Sequence, residues 1–144
     1  MASRARSRKP LTKAQLLPLP AEQVRKLSLK HHLALAALRS SRGDVDAIVT
    51  LLNVLHLAYF LRAGDDAEVD CYRRAEAALN ACVARVEHGA PWSLMGDERT
   101  SLEQLVTMHD AQLAAVPAHR YLEATDRVHR VTAPGRRSPI PTAA

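Results

Sequence analysis

Apolar positions along the chain fall into helical periods, and the most continuous of them is "VDAIVTLLNVLHLAYFL", residues 45–61. Val45, Ile48, Val49, Leu52, Leu55, Tyr59 and Leu61 recur mostly three or four residues apart, and Leu51, Val54, Leu57 and Phe60 widen the arc. That spacing predicts a helix packed on most of its sides, with Asp44 as N-cap and Gly64 as its stop. Four polar residues, Asp46, Thr50, Asn53 and His56, run through it. At about 100° per residue the first three lie within about 60° of one another, and His56 sits about 60° further round. This seam faces water or a partner and is the candidate interface. Seventeen residues carrying an acid, a threonine, an asparagine and a histidine make a poor membrane span, so no membrane partner is expected.

The rest of the pattern is helical too. Thr12 can cap a single turn before Pro18 and Pro20; Pro20 suits the first turn of a helix that either breaks at Ser28 or runs on to Ser40. Val24, Leu27, His31, Ala34, Leu35 and Leu38 share its apolar face. Past residue 64, "DDAEVDCYRRAEAALNACVARVEHG" buries Val69, Tyr72, Ala75, Leu79, Cys82, Val83 and Val86. Trp92, Leu94 and Met95 are expected to plug one end of the structure. Asp97 can cap a helix with Leu102, Leu105, Val106, His109, Leu113 and Val116 inside, and Pro117 either kinks it or opens the next, whose apolar side is Tyr121, Leu122, Val128 and Val131. No strand or internal repeat is visible. The prediction is an all-α antiparallel bundle of four main helices plus one or two short ones, over residues 11–131, between a disordered basic arm (1–10) and a disordered Pro-rich tail (132–144).

Composition agrees: 47% of residues are hydrophobic but only 3% aromatic, and the dominance of Ala and Leu favours helix over strand. The formal charge of +5 changes meaning once located. Arg4, Arg6, Arg8, Lys9, Arg136 and Arg137 lie in acid-free ends, leaving 14 basic against 15 acidic residues between them. The basic excess therefore belongs to the tails. Within the body the first long helix holds Arg25, Lys26 and Lys30 against one acid, Glu22. These three, with Arg4, Arg6, Arg8 and Lys9, are the candidate nucleic-acid contacts, DNA being the partner such charge would meet. Cys71 and Cys82 on one helix stand about 16 Å apart, beyond disulfide reach. With no secretory hydrophobic region after Met1, the expected compartment is the cytoplasm.

Catalytic signatures are missing. The seven histidines include no H-E-x-x-H or E-x-x-H pair, and "DRVH" at 126–129 is one acid and one histidine on one face. There is no nucleophile elbow, no C-x-x-C, and each of the five glycines stands alone rather than in a phosphate loop. No enzyme, metal or cofactor is expected.

The strings "LLPLPAEQVRKLSLKHHLALAALRS", "LLNVLHLAYFLR", "QLAAVP" and "GRRSPIP" resemble short bacterial proteins labelled Fis-family transcriptional regulators. That resemblance implies a DNA-bending dimer with a C-terminal helix-turn-helix. The chain departs from the pattern there: Pro134, Gly135, Pro139 and Pro141 leave no room for a recognition helix after Val131, and the helix after "RAGDD" opens on acids. No family residue carries over as a DNA contact. The expected function is a non-catalytic regulatory protein, a nucleic-acid-associated transcriptional regulator; the alternative is an accessory module that forms a homodimer or binds a partner through the 45–61 helix.

Overall fold

The computed structural model describes residues 9–63, 66–131 and 138–141, the side chains of 66–68 excepted. The chain is an all-α bundle, with six helices and no strand among the described residues. The first, α1 (Lys13–Leu16), is a single turn closed reciprocally: Thr12 Oγ1 accepts from Gln15 N at 3.3 Å, and Gln15 Oε1 accepts from Thr12 N at 2.8 Å. Pro18 and Pro20 bar its continuation. The second, α2 (Ala21–Arg39), passes through Ser28 unbroken. There the hydroxyl donates to Asp110 Oδ1 at 2.8 Å instead of competing for its own backbone. A sharp turn follows with Ser41 at φ 60°, and a Cβ on Gly43 would stand 2.3 Å from Leu38 Cδ2, so glycine lets the chain pass the fully buried Leu38.

Asp44 caps α3 (Val45–Leu61), its carboxylate accepting from Ala47 N at 2.9 Å. Next come α4 (Asp66–Glu87), stopped at Gly89 with φ 91°, and α5 (Gly96–Ala115). The latter starts two residues earlier than Asp97 as a cap would require, with Met95 as N-cap, and Glu98 Oε1 reaches back to accept from Met95 N at 2.8 Å. Val116 is extended, so Pro117 ends one helix and introduces α6 (Ala118–Val131) rather than kinking a longer one. The six helices of the described residues agree with the expected bundle of four main helices plus one or two short ones, α1 and the 14-residue α6 being the shortest.

Packing explains why α3 is so apolar. It touches α2, α4, α5 and α6, and Ala47, Ile48, Leu51, Val54, Leu55, Ala58, Tyr59 and Leu61 are buried on it. Around it Leu35, Leu38, Tyr72, Leu79, Leu102 and Leu105 complete the main core. The Ala58 carbonyl receives two cross-helix donors, Tyr72 Oη at 3.3 Å and Gln112 Nε2 at 3.0 Å, which fixes α4 and α5 against it. Arg85 and Glu98 form a fork at 2.6 and 2.9 Å that ties α4 to α5. A second cluster gathers Leu19, Leu61, Leu113, Val116 and Ala124. The segment before α2 is held there: Ala118 N donates to Leu17 O at 2.8 Å, and His119 Nδ1 donates to Gln15 O at 2.9 Å.

Three expectations about packing fail locally. Met95 and Leu122 are exposed, and the buried positions near them are Leu94 and Ala124; the small Ala124 lets α6 approach α3 closely. Trp92 does pack against the main core as a plug. The supposed tail also contributes: Ile140 is only 3% exposed within the main core, while Arg73 Nε donates to Pro141 O at 2.7 Å and Ser138 Oγ donates to the Glu76 carboxylate. Residues 138–141 are therefore a docked strap on α4. Replacing Ile140 by Ala should lower the unfolding free energy by about 2 kcal/mol in urea titrations; a change under about 0.5 kcal/mol would mean the strap adds nothing to the core.

Candidate functional site

Side chains with chemical potential meet at the α2–α5 contact. Asp110 stands between Ser28 and His32, accepting from the hydroxyl at 2.8 Å and contacting His32 Nε2 at 2.7 Å. Serine hydrolases need the imidazole between hydroxyl and carboxylate, so that it removes the hydroxyl proton. Here the carboxylate holds both, and the imidazole of His32 is directed at Asp110 rather than at Ser28. The cluster works as a polar clip between two helices.

On the buried side of the same two turns, His31 and His109 pack with ring centroids 5.4 Å apart, tilted at 39°. Gln112 spends its amide nitrogen on Ala58 O, so its oxygen faces His109 Nδ1 at 2.8 Å, and that nitrogen carries the proton. His109 Nε2 is left as a buried bare lone pair, and His31 Nδ1 is likewise buried without a partner. Burial, helped by His109, pushes the His31 pKa down to about 4, and burial lowers that of His109 as well. Both rings are neutral at pH 7. Two imidazoles do not make a metal centre, and among the described residues no group of three or more His, Cys, Asp or Glu is placed to hold an ion. Cys71 and Cys82 both lie on α4 and are in no disulfide, and burial raises the Cys82 pKa, away from a reactive thiolate.

The candidate contacts from sequence are dispersed. Arg4, Arg6 and Arg8 lie outside the described residues, and Lys9 is exposed. On α2, Arg25, Lys26 and Lys30 are exposed, but Lys26 is paired with Glu22 at 3.4 Å. Of the α3 seam, Asp46 and Asn53 are exposed, whereas Thr50 and His56 are half-buried. His56 has its Nδ1 buried without a partner, and its pKa is lowered by burial against the opposing pull of Glu76 on α4. Val45 and Val49, 57% and 47% exposed, share this outward face.

What the fold does assemble lies on either side of α6. One cleft of about 220 Å³ opens between α2, α3 and α6, and brings Lys30 and Asn53 together with His31, Tyr121 and His129 over an apolar floor that includes Leu57 and Val128. On the opposite flank a cleft of about 460 Å³ is lined by Arg62, Arg127 and Arg130 with Tyr59, Phe60 and Pro139, and no acid among the described residues lines it. Arg62 sits 3.9 Å over the Tyr59 ring and donates to Tyr59 O at 2.7 Å; Arg127 sits 4.5 Å over Phe60. Sequence reading did not join Arg62 to Arg127 and Arg130 because they are far apart in the chain. A signal was present, since Arg127 and Arg130 stand one turn apart and "AYFLR" ends α3 on two aromatics and a cation.

A scan against protein-family models and searches of curated proteins and solved structures find no match for this chain.

Proposed function

We propose that the protein is a non-catalytic regulatory bundle that associates with nucleic acid through cations gathered around the C-terminal half of α6. One observation carries this reading: the clefts flanking α6 are lined by Lys30 on one side and by Arg62, Arg127 and Arg130 on the other. The charge is contributed by three helices, and Arg136 and Arg137 follow in sequence. Such a surface contacts phosphates without reading bases. The resemblance to proteins labelled as Fis-family regulators supports the same class, with the basic arm and α2 as auxiliary contacts.

Fluorescence anisotropy on labelled random duplex DNA tests it. With about four phosphate contacts, affinity should fall about 100-fold between 50 and 200 mM salt. Substituting Arg4, Arg6 and Arg8 by Ala should weaken binding without abolishing it. No binding at low salt by the full chain overturns the proposal, and loss of all binding in the arm variant transfers the function from body to arm.

The outward face of α3 favours a second reading. Val45 and Val49 are exposed beside Asp46 and Asn53, a mixed surface of the kind that buries in a homodimer or against a protein partner. Light scattering that gives a dimer mass, reduced to monomer by Val49→Glu, supports this alternative; a monomer at all concentrations removes the homodimer.

A further inference from the structure

We infer that the cleft formed by Arg62, Arg127 and Arg130 is a phosphate-binding site, one that accepts a tetrahedral oxyanion carried either by a free phosphate end or by a nucleic-acid backbone. The inference rests on the polyanion reading for its biological setting, but its geometry stands separately.

Three guanidiniums share a concavity of about 460 Å³ that no acid among the described residues lines. None of the three is in an ion pair among the described residues, whereas Lys26, Arg39, Arg73 and Arg85 all have carboxylate partners. Clustering three like charges opposes folding, and an anion between them reverses the sign of that contribution. Two of the three are also oriented in advance. Arg62 is held by the Tyr59 ring below it and by the Tyr59 carbonyl, which lies at the negative end of α3; Arg127 rests on Phe60. Ring stacking covers a guanidinium face and leaves the N–H edges available, so less side-chain freedom is lost when an oxyanion arrives.

The number and origin of the forks select the ligand. A carboxylate has two oxygens in one plane, and a single bidentate arginine engages both along one edge. Phosphate offers oxygens in several directions, matching forks that come from the end of α3 and from two positions a turn apart on α6. Pro139, on the docked strap, forms part of the wall, so the site depends on residues 138–141 staying in place. The aromatic rings are engaged by cations, so the site recognises the phosphate and not the base.

The test uses the full ¹⁵N-labelled chain at low ionic strength, titrated with inorganic phosphate against chloride of equal ionic strength. Two further probes are a thymidine pentanucleotide with a 5′-phosphate and the same oligonucleotide without it. Phosphate should move the side-chain Nε–Hε resonances of Arg62, Arg127 and Arg130 and leave that of Arg25 in place. The double variant Arg127→Ala/Arg130→Ala should lose at least about tenfold in affinity, with its unfolding midpoint in the absence of phosphate serving as the folding control. Tighter binding of the 5′-phosphorylated oligonucleotide supports a terminal phosphate as the source; equal binding of both, lost in the double variant, supports the backbone. Unchanged affinity in a folded double variant, or no response to any of the three probes, overturns the site. Duplex binding that persists in that case leaves the polyanion reading standing, whereas phosphate binding without any duplex binding overturns that reading alone.

Discussion

Truncating Leu55 to Ala lowers the unfolding free energy by about 3 kcal/mol, within the span of about 2–5 kcal/mol that buried leucines show. The residue is fully buried at the middle of α3, the helix that meets four others. Its removed carbons leave a gap that α2, α4, α5 and α6 cannot all close on, since each is anchored elsewhere: α4 and α5 through the Ala58 carbonyl and α6 through its tie to Leu17. Val49→Ala, on the outward face of the same helix, should change stability by less than about 0.5 kcal/mol. Urea unfolding with an unchanged denaturant slope is the measurement. Equal effects at the two positions would mean that α3 is not the centre of the core.

Acidification should destabilise the fold between pH 6.5 and pH 4, before most carboxylates titrate. In the unfolded chain the imidazoles take up protons near 6.5, whereas His31 resists until about 4, and the pKa values of His109 and His56 are also lowered. Across that window the unfolded state binds more protons, so stability falls as pH falls. Above 6.5 all these rings are neutral in both states and the contribution is constant. His31 alone accounts for a loss of about 3 kcal/mol by pH 4. Around it, Asp110 opposes the shift while His109, Lys30 and His32 add to it. Glu98, whose carboxyl is held low by the Arg85 fork, loses its contribution only as pH drops below 4.5. Urea midpoints at pH 7.5, 5.5 and 4.5 give the slope, and His109→Gln should flatten it by removing one titrating ring. A flat profile from 7.5 to 4.5 would contradict the buried, neutral His31–His109 pair.

Helix periodicity was enough to identify α3 as the spine, because a run apolar around most of its circumference has few ways to avoid water other than burial. The inward faces of α2, α4 and α5 were legible for the same reason, and capping chemistry placed Thr12 and Asp44 correctly. Ser28 and Pro117 were undecidable locally, and tertiary contact resolved them: Asp110 occupies the serine hydroxyl, while the proline follows a residue already extended. Ile140 was missed because three prolines around one isoleucine look like a tail, and only a vacancy on the bundle surface makes that single side chain structural. The arginine cleft was less visible still. Its charges come from residues 62, 127 and 130, and nothing in the linear order says that the end of α3 lies beside α6. By contrast the contiguous cations of α2, which drew attention first, lie on its exposed side and are partly neutralised by Glu22.

The backbone contact between Leu17 and Ala118 joins segments about a hundred positions apart. Such a long loop is entropically slow to close. During synthesis the apolar surface formed by Leu113 and Val116 must wait for α6, and α6 in turn docks beside a segment made near the beginning. The lower half of the molecule is thus the last to consolidate, and its leucines are the ones a chaperone would meet on a nascent chain.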